Sequence, residues 1–328
     1  MTTEFLCCNI GARPYALRAG DVMGIVRADA ITRAQQGNRA GAFVTHAGVA
    51  VPVFSAAAHL GLSQRPDVSA GHVLVTGTGP AARGWLVDRI LRRSPCDDRG
   101  IAALPSMVGE ASRRLFEGLI VVDGQSMLVL HTRSADHGGH GDARAHAGPS
   151  QPVHGVPRRL PQPASSTAPL LIAFASSALH LPARTLAAVS VKQVHEVLRV
   201  ETVVPVPNAP RAIRGIAPWR GVAVPVVDFG PANHHPLSKV LIAQDRGRDN
   251  EPVLMAVPID RDARLHRVSD DWRRVTAAGP SHCVHGFFAI GPDRVGLIDI
   301  EAVAAAVADT GQTPTRRPAP AAAGAVRR

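Results

Sequence analysis

The chain has few aromatic residues and few cysteines. Phe, Trp and Tyr make up 4% of its 328 residues, with a single Tyr, so an extended stacking platform for bases is not expected. Cys7, Cys8, Cys96 and Cys283 show no C-x-x-C spacing and are too few for a disulfide framework, so reduced thiols are expected. Long apolar runs are missing too. Leu170 to Val191 is the most apolar stretch, yet Ser176, Ser177, His180, Pro182 and Arg184 interrupt it short of a membrane-spanning length. The opening MTTEFLCCNI places Glu4 where a secretory leader needs basic residues. A soluble, cytoplasmic protein with no direct membrane insertion is the expectation. No G-x-S-x-G elbow, H-E-x-x-H pair or EF-hand loop occurs, so neither a catalytic residue nor a cofactor nor a metal is expected, and the chain reads as a non-enzyme.

What is present is aliphatic. Hydrophobic residues reach 45% and charged ones 19%, enough for packed cores, and the length fits two domains of about 100 to 200 residues. The net charge of +10 suggests a polyanion binder until it is located. Residues 1–133, 134–169, 170–309 and 310–328 carry +4, +1, +1 and +4, so only the last segment is strongly biased. A basic β-barrel that binds nucleic acid is therefore the alternative reading, and no nucleic-acid partner is expected.

An internal repeat organises the chain. GVAVPV runs from Gly48 to Val53 and again from Gly221 to Val226, an offset of 173 residues. Val87-Asp88-Arg89 matches Ile259-Asp260-Arg261 at offset 172, and Phe116 to Ile120 matches Val284 to Phe288 at offset 168. Ordered matches at nearly constant offset indicate a duplicated domain. The expected boundaries are a first domain at 1–133, a flexible Gly/Pro/His-rich linker at 134–168, a second domain at 169–309 and a disordered Ala/Pro/Arg tail at 310–328. About 35 flexible residues would tether the two domains with a reach of roughly 30 to 35 Å. Within each unit Val49, Val51 and Val53, and Val222, Val224 and Val226, alternate with other residues as in a strand, and the interleaved prolines suggest sheet edges or strand ends. Frequent turn signals between short β-rich runs favour small barrels, and a brief helix is expected from about Asp299 to Ala308.

From Val191 the second unit reads VKQVHEVLRVETVVPVPNAPRAIRGIAPWRGVAVPVVDF, and from His285 it reads HGFFAIGPDRVGLIDIEAV. These segments resemble the CheW family: an apolar-x-Glu-apolar strand, a Pro-rich connection, an Arg-Gly turn, an apolar-Pro-apolar-apolar-Asp strand and a closing hairpin that enters a helix. The first unit is a weaker copy, with Gly24, His46 and Ala47 where the second has Glu196, Trp219 and Arg220. The resemblance implies a mainly β fold of two CheW-like domains, each with two five-stranded barrels around a shared aliphatic core and short helices. It also implies an adaptor role between a CheA-type histidine kinase regulatory domain and a chemoreceptor cytoplasmic tip. The partner-binding candidates are Val194, Glu196, Val197, Trp219, Arg220 and Gly221; Glu196 and Arg220 can instead serve only an intradomain network, and burial is the expectation for the two valines.

Three rival signals need weighing. Gly77-Thr78-Gly79-Pro80-Ala81-Ala82 has the G-x-G-x-x-A spacing of a dinucleotide loop with Asp97 beyond it, but its counterpart in the second unit has no such glycines, so hairpin closure is expected. His131, His137, His140, His146 and His154, and the set His282-Cys283-Val284-His285, lack zinc-finger spacing and read as solvated side chains. Adjacent Cys7 and Cys8 on one strand should face opposite sides.

Overall fold

The computed structural model describes residues 2–36, 39–62, 71–97, 100–132, 170–230, 237–246, 252–261, 263–268, 273–275, 283–290 and 292–310. The expected linker, and the expected tail beyond Thr310, lie outside the described residues. In the first half the strands are β1 (Thr2–Ile10), β2 (Arg13–Arg18), β3 (Val22–Arg27), β4 (Thr32–Gln36), β5 (Arg39–His46), β6 (Val49–Ser55), β7 (His72–Thr76), β8 (Arg83–Val87), β9 (Arg89–Asp97), β10 (Ala102–Ala103), β11 (Phe116–Val122) and β12 (Gln125–Leu130). Helix α1 (Ala56–His59) follows β6, and α2 (Glu110–Leu115) precedes β11. The second half holds β13 (Leu170–Phe174), β14 (Thr185–Ser190), β15 (Val194–Arg199), β16 (Ile213–Trp219), β17 (Val222–Val227), β18 (Lys239–Arg246), β19 (Pro252–Ile259), β20 (Arg264–Arg267), β21 (Arg273–Val275), β22 (Val284–Ile290) and β23 (Asp293–Ile298), closed by helix α3 (Ile300–Thr310).

Each half is a pair of sheets. The first has β10-β11-β12-β2-β1-β9 and β3-β7-β8-β6-β5-β4; the second has β20-β13-β14-β23-β22-β21 and β15-β18-β19-β17-β16. The topology is duplicated as the repeat implied, and the five-strand expectation is met in one sheet and exceeded by one strand in three. Where β4 pairs along β5 in the first half, the Pro-rich connection of the second makes only the bridge Val204 to Ile216, because prolines lack the amide donors a ladder needs.

The repeated hexapeptides do not lie at sheet edges. β6 runs between β8 and β5, and β17 between β19 and β16. The prolines are tolerated because the parallel ladder to the next strand begins one residue later in each copy, at Val53↔Gly84 and at Val226↔Ala256. β17 is also buried on both faces from Ala223 to Val227, so its alternation does not mark a half-exposed strand.

The repeated aspartates explain the second matched segment. Asp88 accepts a 2.5 Å hydrogen bond from the Gly11 amide while its own amide donates to Asn9 O. Asp260 accepts from the Ser177 amide at 2.6 Å and donates to Ala175 O. In both halves one carboxylate therefore fastens the chain that leaves the first strand.

The largest cluster of buried apolar residues runs through both halves, from Leu6, Leu74 and Trp85 to Val227, Leu241 and Val257. Ser112 Oγ donates to Pro207 O across the seam at 2.8 Å in a buried position. The halves thus pack against each other, and the tethering reach expected of the linker does not set their spacing. Cys7 and Cys8 face opposite cores, as alternation demands, and both are buried. Burial pushes both thiols above their ordinary range, furthest for Cys8.

Two outcomes follow. Asp88→Ala should lower stability by about 1 to 2 kcal/mol, read from the urea midpoint, as expected when a charge-assisted hydrogen bond to backbone is lost. In the native chain Cys7 and Cys8 should resist an aromatic disulfide reagent at pH 8, and both should react once the chain is unfolded.

Candidate functional site

The candidate residues of the second half meet around the hairpin that joins β16 to β17. Its two-residue loop is Arg220-Gly221, with φ of +49° and +79°, the pair of left-handed residues that a type I′ turn requires. Glycine adopts this freely. Arginine at the first position costs roughly 1 to 2 kcal/mol relative to a right-handed residue.

A bulge in β15 brings the acid to this turn. Between Val194 and Glu196 the pairing with β18 slips by one residue, so His195 is left without a partner and the strand re-aims. The Glu196 carboxylate then accepts a hydrogen bond from Trp219 Nε1 at 2.5 Å and one from an Arg220 terminal nitrogen at 2.6 Å. The Arg220 guanidinium sits 5.2 Å from the Trp219 ring centroid. Carboxylate, indole and guanidinium thus hold one another in a fixed arrangement on the rim of the sheet. With side chains 56% and 31% exposed, the Arg220–Glu196 pair contributes on the order of 0 to 1 kcal/mol to folding. Its main effect is orientation.

The other candidates divide. Val194 is half-buried against the aliphatic layer, whereas Val197 is 43% exposed and departs from the burial expected of it. The reason is its place on β15, an edge strand whose alternate residues turn outward. A Cβ added at Gly221 would meet nothing within 4 Å, so this glycine serves the turn and not a close approach. Two further residues complete the cluster. His195 stands 5.3 Å from Trp219, ring to ring, and its Nε2 lies 2.5 Å from Gln244 Oε1. Neither residue is legible in the sequence as a member of the cluster, because the bulge that turns His195 toward the indole leaves no mark there.

The first half keeps the turn and loses the chemistry. Ala47-Gly48 repeats the left-handed pair at +49° and +76°. A Cβ at Gly24 would fall 2.2 Å from His46 Cε1, so the imidazole fills the space that a larger side chain on β3 would need. Met23 and Ile25 beside it are 45% and 43% exposed. The rival motifs are accounted for locally. Gly77 (φ +72°) and Gly79 (φ +57°) close the β7–β8 hairpin, where a Cβ at Gly77 would meet Ala81 O at 2.8 Å. Among the described residues no three His, Cys, Asp or Glu side chains gather as metal ligands; His137, His140, His146, His154 and His282 lie outside them. His285 instead approaches Asp299 at 3.4 Å. No described helix is long and apolar enough to cross a membrane.

The family model of the CheW-like domain matches the chain twice, at residues 4–135 and 180–307. The chain belongs to the CheW-like domain family. That membership places it among the scaffolds and adaptors of chemotaxis-type signal transduction. Among solved structures it is similar to the scaffolding protein TtCheW from Thermoanaerobacter tengcongensis, at 18% identity and a TM-score of 0.36, over 40% of this chain and 86% of that one. No curated protein matches it.

The turn geometry sets the expected behaviour of this CheW-like hairpin. Gly221→Ala should cost about 1 kcal/mol, because it puts a Cβ on a left-handed residue, while Arg220→Gly should leave stability within about 0.5 kcal/mol as relieved strain offsets the lost ion pair. Urea midpoints of the two variants check the contrast.

Proposed function

We propose that this chain is a non-enzymatic cytoplasmic adaptor that links a CheA-type histidine kinase regulatory domain to a chemoreceptor cytoplasmic tip. The observation that carries the reading is the prearranged set Glu196, Trp219 and Arg220 beside exposed Val197 in a CheW-like domain. A partly exposed indole and a guanidinium with free donor directions are the side chains that most often anchor protein interfaces. Val197 adds apolar area next to them, Val194 supports it from below, and Gly221 lets the turn hold Arg220 outward. The residues act as units 1–133 and 169–309, the second carrying the polar contact surface and the first a diverged one.

Calorimetric titration of the full chain with a kinase regulatory domain and with a receptor-tip fragment tests this. Arg220→Ala and Trp219→Ala should each weaken one of the two affinities about tenfold or more, at unchanged far-ultraviolet dichroism. If both variants bind both partners as the parent does, the site is wrong. If the parent binds neither partner but retains duplex DNA at moderate salt, the adaptor reading gives way to the basic-barrel one.

A further inference from the structure

The seam between the halves is not filled along its whole length. Where the start of β2 and the β11–β12 turn meet the Pro-rich connection of the second half, a cavity of about 380 Å³ remains, a size that suits a small molecule. Residues 13–15 and 123–126 form one wall and residues 202–205 the other. Both walls are held in place. Val204 exchanges two backbone hydrogen bonds of 2.8 Å with Ile216, and on the opposite side Val122 pairs with Gln125 across the turn.

One residue of the first wall lacks what its burial requires. Tyr15, the chain's single tyrosine, is 1% exposed and stacks on Phe116 with ring centroids 6.1 Å apart and planes 12° apart. A phenylalanine would stack equally well. The second half fills the matching place with Ala187, which lies opposite Gly296 in a parallel ladder as Tyr15 lies opposite Leu128. Packing therefore accounts for the ring and not for the hydroxyl. Tyr15 Oη has no hydrogen-bond partner of regular geometry among the described residues, and buried hydroxyls are rarely left so. Burial pushes the phenol above its ordinary range, and the nearby Arg13 charge draws it back part of the way.

The charges around the cavity are unequally committed. Asp123 is turned to Arg92 at 3.2 Å. An adjoining hollow of about 430 Å³ shares Arg13, Val203 and Pro205 with the first, and there Arg214 is held by Asp228 at 3.3 Å. Arg13 forms no ion pair among the described residues. A guanidinium with unused donors beside an unpartnered phenol matches the two oxygens of a carboxylate. Val203 and Val204 face them from the other half with apolar surface.

We propose that this cavity binds a small aliphatic monocarboxylate, its oxygens on Arg13 and the Tyr15 hydroxyl and its apolar part against Val203 and Val204, so that the ligand touches both halves and holds them together. A bare inorganic anion would leave the apolar wall uncovered. A dicarboxylate would bring its second charge against Asp123 or, in the adjoining hollow, Glu201. The site is separate from the Glu196 cluster and stands whether or not the role proposed for that cluster holds.

The test uses the full chain with ring-¹³C tyrosine, which reports Tyr15 alone, and isovalerate as probe. The tyrosine signals should shift saturably with a midpoint on the order of 1 mM, and the neutral isostere isovaleramide and inorganic phosphate should each act about tenfold more weakly or not at all. Arg13→Gln on one wall and Thr202→Asp on the other, both at exposed positions and checked for an unchanged unfolding midpoint, should each weaken the response about tenfold. Tyr15→Phe is read by thermal unfolding. Without probe it should be no less stable than the parent, and it should lose most of the rise of a few degrees that isovalerate at ten times its midpoint gives the parent. The proposal is overturned by the absence of a saturable shift at tens of millimolar isovalerate, or by a shift that survives Arg13→Gln. An equal response to isovaleramide or to phosphate overturns it as well, the second leaving an anion site only. A Tyr15→Phe chain that unfolds earlier than the parent without probe would show that the hydroxyl already has a partner, and would overturn it equally.

Discussion

An aliphatic layer held between two sheets is the constraint on which the rest of the molecule depends. In the first half Leu74 faces this layer while Val73 and Val75 on the same strand face the core of their own sheet, and in the second half Leu241 and Ala243 stand against Val240 and Ile242 in the same way. Strands buried on both faces gain apolar burial twice. They also give up the usual guarantee of register, because a one-residue slip exchanges one apolar face for the other at little cost. Something polar has to fix the pairing. The repeated Asp88 and Asp260 do so by holding the exit of the first strand, and the left-handed turns Ala47-Gly48 and Arg220-Gly221 do so at the hairpin. Asp88 and Asp260 are identical between the halves, as are the turn glycines Gly48 and Gly221, whereas Trp85 and Phe54 of the layer differ from Val257 and Val227.

The layer itself tolerates exchange, provided that volume is kept. Trp85 and Phe54 stand in one half where Val257 and Val227 stand in the other, and the half with smaller side chains carries the helix. Large aromatics recover part of the volume that α3 supplies, which is the compensation a close-packed interior requires. The compensation is incomplete, as a narrow slot lined by Ile10, Leu60 and Trp85 and the exposure of Phe54 show. Divergence at the hairpin follows the same logic on a polar scale. Once Gly24 replaces an acid, His46 occupies the vacated space, and a left-handed alanine suffices where Arg220 had a partner to hold.

Much of this was legible in the residues. Duplication, mainly β architecture, the closing helix and the division of Cys7 and Cys8 between two cores all follow from identities, periodicity and alternation. The prolines misled. Proline suggests a sheet edge or a strand end, yet Pro52 and Pro225 lie within interior strands, because a parallel ladder that starts one residue later makes no demand on their missing amides. The site was legible in its members and not in its geometry. Glu196, Trp219 and Arg220 follow from the resemblance of the second unit to the CheW family, but His195 enters the cluster only through a bulge, and bulges depend on pairing between strands far apart in sequence. The exposure of Val197 has the same origin: which face of an edge strand turns outward is decided by neighbours that local sequence does not name.

The packing of the two halves changes what kind of adaptor such a chain can be. Two modules joined only by a flexible linker gain a second engagement through effective concentration, which is set by linker length and forgives poor alignment. Here the buried Ser112–Pro207 hydrogen bond and a common apolar cluster fix the halves instead. A second engagement is then governed by orientation: it is strong when two bound surfaces present the matching angle and absent when they do not. Such an arrangement discriminates among assemblies by geometry as well as by contact chemistry. It also explains how the first half can lose the polar set at its hairpin without losing its place, since its contribution to the seam, through α2 and the residues after α1, lies away from that hairpin and is untouched by the change at Gly24.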